Sequence, residues 1–190
     1  MLRNEKQPSK LGSTWGAAGY SLSPAVATAS LLLIRYCREA QLRSTTSLLL
    51  SHIPAQNGAM TTTHTTALIP ELRYLALGDS YTIGEGVDEA GRWPMQLARA
   101  MRAEGVPVAD PHIIAMTGWT TDELDAAITA QEPLGEYDFV SLLIGVNNQY
   151  RGRDADEYRA QFRGLLERAI GFAGGDAARV IVVSIPDWGV

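Results

Sequence analysis

Ser80, Gly118 and Asn147 are the residues of this chain whose types and spacing can do chemistry. Ser80 lies in "LALGDSYTIGEG", Gly118 in "MTGWTT" and Asn147 in "IGVNNQY". A serine hydroxyl is a poor nucleophile near neutral pH, and its attack on a carbonyl creates a negative oxygen that donors must surround. The backbone N–H groups of Ser80 and Gly118 and the side-chain amide of Asn147 supply three such donors. Each residue alone has an ordinary explanation in turn chemistry. Their order, one after each of three successive apolar runs, favours a joint role. A phosphate cradle is the competing use of Gly78, Gly84 and Gly86, but their spacing matches neither G-x-G-x-x-G nor a P-loop with its Lys and Ser/Thr.

The elements that must position these residues follow an alternating pattern from Arg73 onward. "RYLALG" reads as a first strand, and Trp93, Leu97 and Met101 mark one face of a helix with Pro94 in its first turn and Gly105 past its end. "HIIAM" reads as a second strand, and Thr120 and Glu123 are spaced as a capping box opening a second helix. "YDFVSLLIG" suits a central strand buried on both faces. A third helix starts at Asp154 and Glu157, buries Tyr158, Phe162, Leu165 and Ala169, and exits at Gly174 and Gly175. "RVIVVSI" is a fourth strand. Strands separated by helices predict an α/β fold with a parallel sheet covered on both sides. With a flavodoxin-like order 2-1-3-4, the switch point falls between strands one and three, and the three loops converge outside the carboxyl ends of the strands.

Composition limits the function classes. The 190 residues fit one domain with some extra chain, and 46% hydrophobic and 19% charged content is that of a globular protein. No run of about 18 apolar residues is present, so stable membrane insertion is not expected. A net charge of −5 gives no basic footprint, which argues against nucleic acid as a partner. Cys37 is the single cysteine, and no Cys/His group has zinc-ligand spacing, so neither a disulfide nor a metal cofactor is implied. Residues 1–66 are rich in Ser, Thr, Ala and Gly and read as a poorly ordered extension before a domain at 67–190. A secretory signal is the competing reading, with Arg3 and Lys6 ahead of the apolar patch Ala25 to Ile34. The patch starts late, is interrupted by Arg35 and lacks a small-residue cleavage site, which favours the cytoplasm over export. A start at Met60 is a third reading.

The three motifs together resemble the SGNH hydrolases, also called GDSL esterases and lipases. "LALGDSYTIGEG" is similar to their first block with Ser80 as nucleophile, "TGWTT" to the second with Gly118, and "IGVNNQY" to the third with Asn147. The resemblance covers about Leu72 to Val190. It implies a three-layer α/β/α sheet and hydrolysis of esters or thioesters without a metal or other cofactor. The third block of the family usually reads Gly-x-Asn-Asp, whereas Asn148 stands in place of the acid here. The family also takes a catalytic histidine, with an aspartate three residues before it, from a block near the C-terminus, and the sequence reaches "SIPDWGV" without one. The expectation is a C-terminally incomplete enzyme, since "VIVVSI" would otherwise lie near an uncovered sheet edge.

No other histidine replaces that base. His112 begins the second strand, at the amino edge of the sheet, and a five-residue strand spans about 17 Å. His52 and His64 lie in the extension. The expected activity is therefore serine-dependent hydrolysis of a small-molecule ester through an acyl-enzyme, impaired in this chain. A non-catalytic module that captures an ester or glycan in the same cleft is the alternative. Tyr81, Trp93, Trp119, Tyr150 and Trp188 fall in or near the site loops and are candidates for a pocket lining, though core or rim packing is the commoner fate of such residues. Arg151 and Arg153 follow the Asn147 loop, where they could meet an anionic substrate, but a solvated loop charge is the expected role. Acyl length, alcohol group and oligomeric state are not legible.

Overall fold

The structure, a computed structural model, describes residues 70–185. The extension 1–66 with its signal and alternative-start readings, His52, His64 and Trp188 lie outside the described residues.

Strand β1 (Tyr74–Gly78) is buried along its whole length. Side chains alternate across a strand with a period of two, so β1 serves two cores. Leu75 and Leu77 join Ile114, Val140 and Leu142 on one face of the sheet, and Tyr74 and Ala76 join Phe139 on the other. Burying each such leucine stabilises the fold by about 1.5–3 kcal/mol. Three further strands complete the sheet: β2 (His112–Ala115), β3 (Phe139–Leu143) and the short edge strand β4 (Val180–Val182). Their order is β2-β1-β3-β4 and every pairing is parallel. The switch point therefore lies between β1 and β3. β4 is shorter than the apolar run that contains it, and Val182 is half exposed.

Helices cover both faces. On the Tyr74 side packs α2 (Trp93–Ala103), with Pro94 in its first turn and Leu97, Ala98 and Met101 buried. On the Leu75 side pack α3 (Thr121–Gln131) and α5 (Ala155–Phe172), through Leu124 and Ile128 and through Leu165 and Ala169. The result is a three-layer α/β/α fold. The capping box at Thr120 is formed, with the Thr120 N–H donating to Glu123 Oε2 at 2.8 Å. The Asp154 carboxylate caps α5 by accepting from the N–H groups of Asp156 and Glu157, both at 2.9 Å. Two very short helices have no counterpart in the sequence pattern: α1 (Ser80–Ile83), directly after β1, and α4 (Val146–Tyr150), directly after β3. Neither makes two full turns, so neither shows a hydrophobic period.

Candidate active site

The first loop holds Ser80 at the start of α1. β1 ends at Gly78, and Asp79 caps the helix. The Asp79 carboxylate accepts from the Tyr81 N–H at 3.1 Å, while the Asp79 carbonyl accepts from Thr82 and Ile83 at 3.0 and 2.9 Å. Ser80 is thus the first residue of a helix, where an N–H has no intrahelical acceptor. Among the described residues that N–H donates to nothing. Asp79 itself is fully buried, and among the described residues its Oδ2 has no partner. Burial pushes its carboxyl from 3.8 up to about 6, against the opposing pull of the Tyr81 N–H.

Gly118 forms the second loop. Its φ of +86° is one that side-chain-bearing residues rarely adopt, which explains the glycine. Its carbonyl accepts from Arg151 Nη2 at 2.6 Å, and the same guanidinium donates to Glu123 Oε1 at 3.2 Å. The Gly118 N–H makes no hydrogen bond among the described residues.

In the third loop, Asn147 is the second residue of α4. Its Nδ2 donates to the Trp119 carbonyl at 2.8 Å. A carbonyl only accepts, so the amide nitrogen must face it, and the second hydrogen on Nδ2 remains available. The adjacent Asn148 is buried and turned the other way. Its Oδ1 accepts from the Thr121 N–H at 3.1 Å, and its Nδ2 donates to Thr121 Oγ1 at 2.8 Å. The Thr121 hydroxyl in turn donates to Gln161 Oε1. An aspartate at 148 would present two acceptors and no donor, so it would compete with Gln161 for the Thr121 proton. The neutral amide fits the network as built.

Ser80, Gly118 and Asn147, with Thr117 and Val146, line one open cleft of about 280 Å³ at the carboxyl ends of β1, β2 and β3. The three residues singled out by their chemistry are therefore brought together. Of the aromatic candidates, Tyr81 and Tyr150 line the cleft. Trp93 and Trp119 instead pack against the two cores. The two arginines are partly open to water as expected but also have partners: Arg151 clamps Gly118 to Glu123, and Arg153 pairs with Asp122 at 3.2 Å and Glu157 at 3.7 Å. His112, the histidine among the described residues, sits at the amino end of β2, level with Leu75, with its Nδ1 2.6 Å from the Tyr137 hydroxyl. Sequence reasoning missed Glu85, which lines the cleft, and the positioning roles of Asn148, Thr121 and Arg151. Only Glu85 left a signal, its place five residues after Ser80 in the same glycine-rich loop. Among the described residues no group of His, Cys, Asp and Glu could hold a metal, and no helix is long and apolar enough to cross a membrane.

Comparison with known proteins bears on this geometry. The GDSL-like Lipase/Acylhydrolase family profile matches residues 76–190. A serine-to-alanine variant of the esterase AlinE4 is similar in structure, with a TM-score of 0.51, 23% identity, and 64% of each chain covered. TesA is similar with a TM-score of 0.52 and 20% identity, and 60% of each chain is covered. At these identities the likeness is one of fold. The chain spans about 60% of the length of the solved structures it matches. No curated protein matches it in sequence.

Proposed function

We propose, from the premise that this chain belongs to the GDSL-like lipase/acylhydrolase family, that it hydrolyses carboxylic esters with Ser80 as nucleophile. One observation carries the reading: three loops from three adjacent strands put Ser80, Gly118 and Asn147 on the lining of a single cleft, and the N–H groups of Ser80 and Gly118 and one amide hydrogen of Asn147 have no partner among the described residues.

In the reaction, Ser80 Oγ bonds to the ester carbonyl carbon and gives its proton to a base. The carbonyl oxygen becomes negative and takes up the hydrogen bonds that the Ser80 and Gly118 amides and Asn147 have to offer. These donors are in place before the charge appears, so little reorganisation is needed during the step. The alcohol then leaves with a proton, an acyl-serine forms, and water repeats the attack to release the acid. His112 is engaged with Tyr137 at the far end of the sheet, so the base is not drawn from the described histidine. A net charge of −5 agrees with a small ester as partner in preference to nucleic acid.

A fluorophosphonate probe tests the assignment, because phosphorus captures an activated serine covalently. The expected result is labelling of the full chain at Ser80 that is lost in Ser80→Ala. A folded protein that takes no label would overturn the reading and leave a ligand-capturing module of the same fold.

A further inference from the structure

The cleft beside Ser80 carries a negative charge that no other described residue lining it neutralises. The chain leaves α1 at Gly84, and the Glu85 N–H donates to the Ser80 carbonyl at 3.1 Å, which fixes Glu85 one turn from the nucleophile. Glu85 lines the cleft and, among the described residues, is the one charged residue to do so. Among the described residues that carboxylate makes neither a hydrogen bond nor an ion pair.

Two of the neighbouring cations are committed elsewhere. Arg151 is held by Glu123 and the Gly118 carbonyl, and Arg153 by Asp122 and Glu157. Arg92 follows the same loop, packs its aliphatic stem close to Gly84 and makes no ion pair with Glu85. The other distinctive lining groups are two tyrosines: Tyr81 is 37% exposed and Tyr150 is 81% exposed. Rings left so open to water offer π-faces, which attract organic cations. A carboxylate with two aromatic faces in one cleft repels an anionic ligand and suits a cationic one.

We propose that the cleft selects ligands bearing a quaternary or protonated amine, with Glu85 as the counter-charge and the rings of Tyr81 and Tyr150 as its walls. The ester part of such a substrate rests on the hydrolase reading above; the preference for a cation rests on the lining alone.

The test is binding, measured on the full chain by NMR titration with choline and with its neutral carbon isostere, in which a tert-butyl group replaces trimethylammonium. The two alcohols have nearly the same shape, so their affinity ratio reports charge recognition. The expected ratio is about fivefold in favour of choline, the effect of one unit charge a few ångströms away in a solvated cleft. Glu85→Gln keeps the shape and lowers the ratio toward the smaller preference that the two ring faces give alone. Equal binding of the two alcohols, or a ratio unchanged in Glu85→Gln, overturns the proposal. Fluorophosphonate labelling of the same samples separates the two inferences. Labelling without a charge preference removes the cation site and leaves the serine hydrolase; a charge preference without labelling removes the hydrolase and leaves the cation site.

Discussion

Replacing Asn147 separates a catalytic donor from a structural strut, because the proposed reaction and the bond to Trp119 give this amide two different jobs. One Nδ2 hydrogen goes to the Trp119 carbonyl at 2.8 Å, and the other is available to the cleft. Asn147→Ala removes both. Loss of the neutral bond to Trp119 costs about 0.5–1.5 kcal/mol of stability. Loss of one of three oxyanion donors costs about 2.7–4 kcal/mol of transition-state stabilisation, a fall of roughly 10²–10³ in kcat. Asn147→Asp is the harsher change, since a carboxylate offers no hydrogen to either partner and opposes the growing negative charge. The assay is kcat and KM on an activated aryl ester, with the rate of fluorophosphonate labelling as a second reading of the same chemistry and urea unfolding as the stability control. The expected pattern is a large fall in kcat for Ala, a larger one for Asp, and a KM within about threefold of the parent, because the donor acts mainly in the transition state. If Asn147→Ala loses stability but keeps kcat within about threefold, Asn147 is a strut between two loops and the oxyanion reasoning is wrong.

Two further outcomes follow from the residues just before Ser80. A Cβ on Gly78 would lie 2.1 Å from Thr82 Oγ1 and 2.6 Å from the Leu143 carbonyl, so Gly78→Ala is expected to cost about 3 kcal/mol or more in urea unfolding. Thr82→Ala should recover part of that loss and not all of it, since the β3 carbonyl stays in the way; full recovery would show that the strand backbone is not the obstacle. Asp79 gives a pH signature. Its folded carboxyl sits at about 6 against an ordinary 3.8, so the folded state binds its proton more tightly than the unfolded one. The stability this contributes is fully present below 3.8 and is lost as pH rises through about 6. After allowance for water reaching the site, roughly 1–2 kcal/mol separates the two ends of that window. The difference in unfolding free energy between the parent and Asp79→Asn should therefore change by that amount between acid and neutral buffer, and a difference constant with pH would remove the argument. Asp122, Glu123 and Asp154 are held below their ordinary values and respond in the opposite sense, at lower pH.

The parts of the fold that were legible are those in which many residues repeat one physical constraint. β1 and β3 are buried on both faces, so each reads as an unbroken apolar run. The ends of α2, α3 and α5 are marked by residues that solve a local hydrogen-bonding problem: Pro94, the Thr120–Glu123 box and the Asp154 cap. β4 was less legible, because half-exposed residues at a sheet edge are apolar without being pinned, and only Val180–Val182 pair. The contacts of Arg151 were not legible for a different reason. A loop arginine gives no sign in sequence of the Gly118 carbonyl it holds from 33 residues away. Asn148 and Thr121 meet only once the β1–β3 switch point has folded.

The two short helices that escaped the periodicity explain how the candidate site is both open and held in place. Successive residues on a helix point about 100° apart, so an adjacent polar pair at the start of one divides between inside and outside. At α1 the pair is Asp79 and Ser80: the buried carboxylate caps the helix through the Tyr81 N–H, and the serine beside it lines the cleft. At α4 the pair is Asn147 and Asn148: the second is buried against Thr121, and the first lines the cleft. In each case the inward member is tied to backbone N–H groups and the outward member inherits its position. A longer helix would bury more of these positions, and a plain loop would not fix the direction of either member. One turn of helix after each of two neighbouring strands is enough to bring a hydroxyl and an amide to one cleft, which is why residue types pointed to Ser80 and Asn147 where hydrophobic pattern could not.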